Sequence, residues 1–484
     1  MSGAKTPADL EKEAAKKQKE IQKWEKEKAR PKRKWYLAYL VLIISLVYIT
    51  DEVASQIGTL MKTEIANDML ASAGEKSVGM LDILNMISIP FMGIAMLYKP
   101  LADRFGRKIF LVINTFGMSL GMFIIFLSNN ILLYSIGYII IMFFIPHDTQ
   151  VVYIMEAAPA KHRAKLYSVI KCIATLGIMM VPLFRKIFMA ETSQWRMVYL
   201  VPAIVGLVTS FIGLLFARET DAFIDQRLRY LNLSDEELEA QKAAKKEENA
   251  QGGIIHGFRF AFRHKQLRWL FIAMGLCNIG YLLAMDYQVI MSYGYATSEF
   301  ASGLFDTFDK ALEYASVNQV TAAAFMFPVG SALVQLFVGF IADSKSRRAS
   351  ALYSSIVSTV GMLAMWYGAY HGWNAYLVGF FSGLCIGGYW AVGDLVGLMV
   401  GESSPTNLRS SIISASALGM AGGCGVTYLV GLPLVTLLGN SYAGIVCLCL
   451  ALPGAVLCFL AMLFKIKDTT GLDLEAVTGC EWDG

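Results

Sequence analysis

Leu101-Ala-Asp103-Arg-Phe-Gly106-Arg107-Lys108 separates two apolar runs, and a near copy, Ile341-Ala-Asp343-Ser-Lys-Ser346-Arg347-Arg348, separates two others at an offset of 240. A second set agrees with it. Asp148, Glu156, Pro159 and Arg163 reappear as Asp394, Glu402, Pro405 and Arg409 at an offset of 246, the difference being what a small insertion between the loops produces. Each set falls where a long apolar run ends, so the chain reads as two copies of one unit in the same orientation.

Working outward from these turns, runs long enough to cross a ~30 Å hydrocarbon core as helices lie at about 35–61, 78–98, 109–128, 131–155, 167–190 and 196–217. A second series lies at about 269–294, 315–342, 349–368, 375–400, 408–432 and 441–465. The expected fold is an all-α polytopic membrane protein with 12 transmembrane helices in two six-helix bundles. Composition agrees: 56% of the 484 residues are AVILMFWYC, and the charged residues crowd into two places, 18 of them in 1–34 and 19 in 218–268. The remainder is too sparsely charged for a soluble enzyme, a disordered chain or a nucleic-acid binder. The eight cysteines show no CxxC spacing and lie mostly in apolar runs, so reduced buried thiols are expected, with no metal site and no cofactor. No Walker A sequence is present, which excludes ATP as the energy source.

Orientation follows the basic residues. Arg30-Pro-Lys-Arg-Lys34 precedes the first run, and the turns after runs 2, 4 and 8 carry Arg104, Arg107 and Lys108, then Lys161, Arg163 and Lys165, then Lys345, Arg347 and Arg348. All fall on one side if both termini are cytoplasmic. The expected division is a charged tail (1–34), a bundle (35–217), a linker with amphipathic helices (218–268), a second bundle (269–465) and a short tail (466–484). Residues 8–28 read as a charged helix, either solvated or lying on the anionic inner leaflet. Ser234-Asp-Glu-Glu237 is a capping box that opens a linker helix, and 254–268 is amphipathic and basic. Two repeated halves of six helices are the architecture of carriers that rock about a central cavity.

The repeated residues also carry a resemblance. Residues 99–108 are similar to the major facilitator superfamily signature G-x-L-A-D-R-x-G-R-K, with Lys99 at its first Gly and Ser346 at the later Gly of the second copy. Glu156…Arg163 and Glu402…Arg409 resemble the E-x6-R element of sugar porters and their organic-cation relatives, and Phe216-Ala-Arg218-Glu219-Thr220 echoes their P-E-S/T-P-R element. The resemblance covers about 35–465. It implies a cytoplasmic gating network of Asp103, Arg107, Glu156 and Arg163 in one half and Asp343, Arg347, Arg348, Glu402 and Arg409 in the other, pairing across neighbouring helix ends.

Carboxylates inside a membrane usually face a cavity or a partner. Asp51 and Glu52 fall in run 1, Asp82 and Asn85 in run 2, His147 and Asp148 in run 4, Asp286 in run 7 and Asp394 in run 10. The resemblance implies that runs 1, 4, 7 and 10 line the cavity. Tyr48-Ile-Thr-Asp51 is similar to the Y-x-x-D-type element of proton-coupled sugar symporters, which makes Asp51 the first proton-coupling candidate; Glu52 beside it and His147 and Asp148 in run 4 are the others. Asp51, Asp148, Lys171, Asn278, Asp286, Trp390 and Asp394 are the substrate-cavity candidates. Lys171 matches a sugar-binding Gln of sugar porters, or else snorkels to the interface. Trp390 and Asp394 form an i, i+4 pair, and helical phase puts Asn278 and Asp286 on neighbouring faces. An aromatic ring beside acids suits sugars, polyols or organic cations.

The expected function is secondary active transport of a sugar, polyol or small organic acid across the plasma membrane by alternating access, coupled to protons. An organic cation/drug:proton antiporter and a transporter-like nutrient sensor are the alternatives. Expected partners are the small-molecule substrate, protons and membrane lipids, including anionic inner-leaflet lipids, with no nucleic acid and a monomeric state.

Overall fold

A computed structural model describes residues 7–29, 36–98, 105–145, 153, 156, 170, 173–234, 237, 254–405 and 408–470. Among the described residues the chain is helical, with no strand. A charged helix α1 (Pro7–Lys28) comes first. The first half then contains α2 (Tyr36–Leu60), α3 (Lys62–Met69), α4 (Ser77–Asn85), α5 (Ile89–Tyr98), α6 (Arg107–Phe126), α7 (Ile131–Phe144), α8 (Met180–Phe188) and α9 (Arg196–Phe216). The linker supplies α10 (Asp221–Asn232) and α11 (Ile254–Arg263). The second half contains α12 (Lys265–Asn278), α13 (Tyr281–Met285), α14 (Tyr287–Ala301), α15 (Phe308–Tyr314), α16 (Thr321–Ser344), α17 (Arg347–Tyr370), α18 (Ala375–Glu402), α19 (Arg409–Val426), α20 (Leu432–Leu438) and α21 (Ala443–Phe464).

Eight helical stretches among the described residues are long and apolar enough to cross a membrane. Runs 4 and 5 lie partly outside the described residues, while runs 2 and 7 are interrupted, each for a local reason. Run 2 divides at a 3-10 turn, Met86–Ser88, because Pro90 has no N–H to continue the α-helical ladder. Run 7 divides twice. Gly280 takes a left-handed φ of 76°, and a Cβ there would fall 2.7 Å from the Ala451 backbone. Its N–H donates to Thr427 Oγ1 at 2.9 Å, so three helices meet at this break. Asp286 then caps the junction between α13 and α14. This corrects the phase relation expected from an unbroken run 7: Asn278 and Asp286 sit on different helices. Run 8 continues through a π-turn (Ala315–Val320), as does run 11 (Thr427–Gly431).

The halves repeat their packing. α6 with α7, α6 with α9 and α2 with α9 in the first half correspond to α17 with α18, α17 with α21 and α12 with α21 in the second. One end of the assembly, the termini face, bears α1 and residues 465–470. The opposite end is the distal face.

α1 does not stand alone: it packs on α10. Trp24 meets Phe223 edge-on at 5.5 Å, Lys28 pairs with Asp225 at 2.5 Å and Arg227 with Glu20 at 2.8 Å. Arg218 donates to the Glu27 carbonyl at 2.9 Å. α10 itself begins at Thr220, whose hydroxyl accepts from Phe223 N–H. The Ser234–Glu237 capping box forms as expected, with reciprocal hydrogen bonds of 2.9 and 3.2 Å; residues 238–250 beyond it lie outside the described residues.

Candidate functional site

At the termini face the two repeats build the same brace twice. In the first half, Arg107 Nε donates to Glu156 Oε1 at 3.0 Å, and Thr220 Oγ1 donates to Glu156 Oε2 at 2.6 Å. Glu219 accepts the backbone N–H groups of Arg107 and Lys108 at 3.0 and 3.2 Å, capping the start of α6. Gly106 makes this possible: it has φ 115°, and a Cβ would stand 2.3 Å from the Glu219 carboxylate. In the second half, Arg347 Nε approaches Glu402 Oε1 at 3.4 Å, and Thr469 Oγ1 donates to Glu402 Oε2 at 2.5 Å. Asp468 accepts Arg348 N–H and the Ser346 hydroxyl at 3.0 and 2.8 Å. Ser346 thus caps α17 with its own side chain, at the position where the first copy needs Gly106.

Burial pushes the Glu219 carboxyl up from its ordinary range, while N–H groups at Thr220, Lys108 and Arg107 pull it part of the way back. Burial acts the same way on Asp468, but the bonds from Arg348 N–H, Ser346 and Thr470 leave it below the usual carboxylate range. The acid–Thr pairs Glu219–Thr220 and Asp468–Thr469 are therefore repeat members too. The second pair went unread because no spacing motif flags it. Arg348 takes a different role from the one expected: its guanidinium donates to the carbonyls of Met462 and Leu463, the end of α21.

The halves meet at the distal face. Among the described residues the substantial cross-half pairings are α4 with α20, α8 with α16, and α3 with α14. Arg185 is the anchor, only 1% exposed. It donates to Glu64 at 2.6 Å and the Leu60 carbonyl at 2.5 Å in its own half, and to the Ser316 carbonyl at 2.7 Å and Thr321 Oγ1 at 3.0 Å in the other. Asn440 donates to Tyr293 at 2.9 Å and reaches Ser77 across the seam at 3.5 Å. One layer inward, Lys62 Nζ contacts Asp82 Oδ1 at 2.7 Å and also bonds Asp286 Oδ1 from the other half. Lys62 and Arg185 were missed because Lys62 directly follows run 1 and Arg185 lies in the last turns of run 5, where a basic residue reads as an interfacial anchor.

Inward again, Trp390 Nε1 donates to Tyr281 Oη at 2.6 Å, Tyr281 lies edge-on to Tyr389, and Tyr287 stacks on Phe327 at 4.7 Å. α18 is unbroken, so Trp390 and Asp394 share a face; Trp390 is half-buried and Asp394 exposed, near Tyr281. Gly422 and Gly425 of α19 face open space. Asn278 turns away: it is buried and donates to the Met274 carbonyl of its own helix at 2.8 Å. Asp51 and Glu52 are half-buried on α2. Asp103, His147, Asp148, Arg163 and Lys171 lie outside the described residues, as do the side chains of Asp343 and Arg409.

Two repeated helical bundles, sealed together at one face and braced separately at the other, define a membrane carrier. Residues 36–308 match the family model for the Major Facilitator Superfamily and residues 269–465 that for sugar (and other) transporters. The chain belongs to the Major Facilitator Superfamily, and its kin are transporters rather than enzymes. It is 30% identical over 141 residues to solute carrier family 2, facilitated glucose transporter member 2 of Sus scrofa (29% of this chain, 26% of that protein). It is 28% identical over 161 residues to the glucose transporter GlcP of Staphylococcus epidermidis (31% and 36%). The matches thus span between a quarter and about a third of these curated relatives. In fold it is similar to the xylose transporter XylE of E. coli in an inward open conformation, with a TM-score of 0.58 at 16% identity over 91% of this chain and 99% of that one. A D-xylose-proton symporter structure gives 0.55 at 17% over 90% and 99%.

Proposed function

We propose that the protein is a secondary active transporter that carries a sugar or related polyol or small organic acid across the plasma membrane by alternating access, coupled to protons, with both termini cytoplasmic. The observation that carries this is the asymmetry of the seam. Among the described residues, the two halves are joined by polar bridges at the distal face, while the braces Arg107–Glu156 and Arg347–Glu402 of the termini face lie within each half. A rocking carrier needs such an arrangement, because each half must stay rigid while only the contacts between halves change.

The half-buried rings of Tyr281 and Trp390, backed by the buried Tyr389, offer aromatic faces to a sugar ring. Proton coupling is supported by acids at membrane depth on α2, α4 and at the α13–α14 junction. The exposed Asp394 beside Trp390 favours a second reading, an organic cation exchanged for protons. A thermal-shift series on the purified protein with sugars, polyols, organic acids and amines tests both. Sugars or polyols should raise the melting temperature, and a sugar that does so should accumulate in proteoliposomes under an inward proton gradient. Stabilisation by amines alone would replace the sugar reading with the antiporter.

A further inference from the structure

We propose that Lys62, Asp82 and Asp286 form a cation site that holds a single proton while the distal face is shut and releases it when the halves part. The purpose of the site rests on the transporter reading; its existence rests on charge and geometry.

One ammonium group serves two carboxylates here, and all three side chains are 10–12% exposed. Buried charge persists when it is balanced, and this cluster is one negative charge in excess. Among the described residues, the groups packed around it do not supply the missing cation. Tyr134 and Tyr138 face it from α7, Tyr428 from the π-turn before α20, and Cys447 from α21. Phenols and thiols are neutral near pH 7 on their ordinary values. Glu64 and Arg185, the neighbouring charged pair, neutralise each other. A proton is the smallest cation that balances the cluster, and the two carboxyl groups lie within hydrogen-bonding reach of each other to share it.

Position gives the proton a consequence. Lys62 and Asp82 belong to the first half, and Asp286 is the junction residue between α13 and α14 of the second. With Asp286 protonated, Lys62 and Asp82 form a one-to-one pair and the Asp286 hydroxyl donates a hydrogen bond to the Asp82 carboxylate across the seam. On release, the O–H bond breaks, its electron pair stays on Asp286, and the proton passes to water. A cavity of about 60 Å³ with Lys62, Ser55, Thr59 and Asn85 in its wall adjoins the cluster and is large enough to hold water. Two carboxylates then repel across the seam. The Lys62–Asp82 pair stays together in its half, and Asp286 leaves with the other. Proton binding closes the distal face, and proton loss opens it.

The test needs no substrate. Nitroxide labels at Ser72 and Ser302, exposed residues of the two distal loops, are placed in the full chain with its native cysteines replaced, reconstituted in nanodiscs, and read by pulsed dipolar spectroscopy at about pH 5.5 and about pH 8. The separation should be short at the acid value and gain a longer population at the alkaline one. Asp286→Asn and Asp82→Asn, which each leave a balanced site, should stay short at both, while Asp286→Glu should keep the response. A separation indifferent to pH in the unsubstituted protein, a longer separation in acid, or a pH response surviving in Asp286→Asn would overturn the proposal. Closure at alkaline pH on adding sodium alone would overturn the proton in favour of a metal cation. Solute uptake by the same protein separates the two readings. Movement with pH but no uptake leaves this site standing without the transporter, and uptake with a pH-indifferent separation does the reverse.

Discussion

Arg185 shows how one residue can do two jobs at a seam. Its contacts with Glu64 and Leu60 hold it to the first half, and those with Ser316 and Thr321 hold the second half to it. Parting the halves breaks the second set and leaves the first intact, so the guanidinium is never left bare. Removing it is another matter, because Glu64, 2% exposed, would keep a buried charge without its partner. Arg185→Met is expected to cost about 3–5 kcal/mol. Arg185→Met with Glu64→Gln should recover much of that loss, since no charge is then stranded. Thermal melts of the two variants against the parent check this, and equal melting of single and double variants would contradict it.

Among the elements, α1 departs furthest from what its composition suggests. A helix with this many lysines reads as solvated or lipid-bound, yet its Trp24 packs on Phe223 and its charges pair with those of α10. The pairs are partly exposed and individually worth about 0–1 kcal/mol, so the ring contact carries the docking. Trp24→Ala should raise amide hydrogen exchange across 15–28 while shifting the overall melting temperature little, and unchanged exchange in that segment would show that the charges suffice. The loops at the termini face make the complementary point. Gly106 and Ser346 occupy the same place in the repeat but solve helix capping differently, one by admitting a neighbouring carboxylate and one by supplying its own hydroxyl.

At the scale of the molecule, the braces and the seal lie at opposite faces among the described residues. Arg107–Glu156 and Arg347–Glu402 are formed within their halves while the halves are joined at the other face. They make each bundle a unit that can move as one. If the seal has to open in every cycle, a covalent bond across it stops transport. Ser77→Cys with Asn440→Cys, in a background without native cysteines, should lose solute exchange in proteoliposomes on oxidation and regain it on reduction. Exchange that continues in the oxidised protein would remove the distal seam from the cycle.

Local chemistry by itself determined the helical class, the repeat and the brace residues Arg107, Glu156, Arg347 and Glu402. Apolar run length, basic turns and fixed spacing are properties of neighbours along the chain, and they survive folding unchanged. The breaks in run 7 were legible only in part, because a glycine permits a left-handed turn but the approach of Ala451 is what requires it. The partners of Lys62, Arg185, Asp82 and Asp286 were left to the tertiary structure. Those contacts join residues on different helices, some within the first half and some across the seam, and their pairing is set by where helices and bundles touch, which no local spacing encodes.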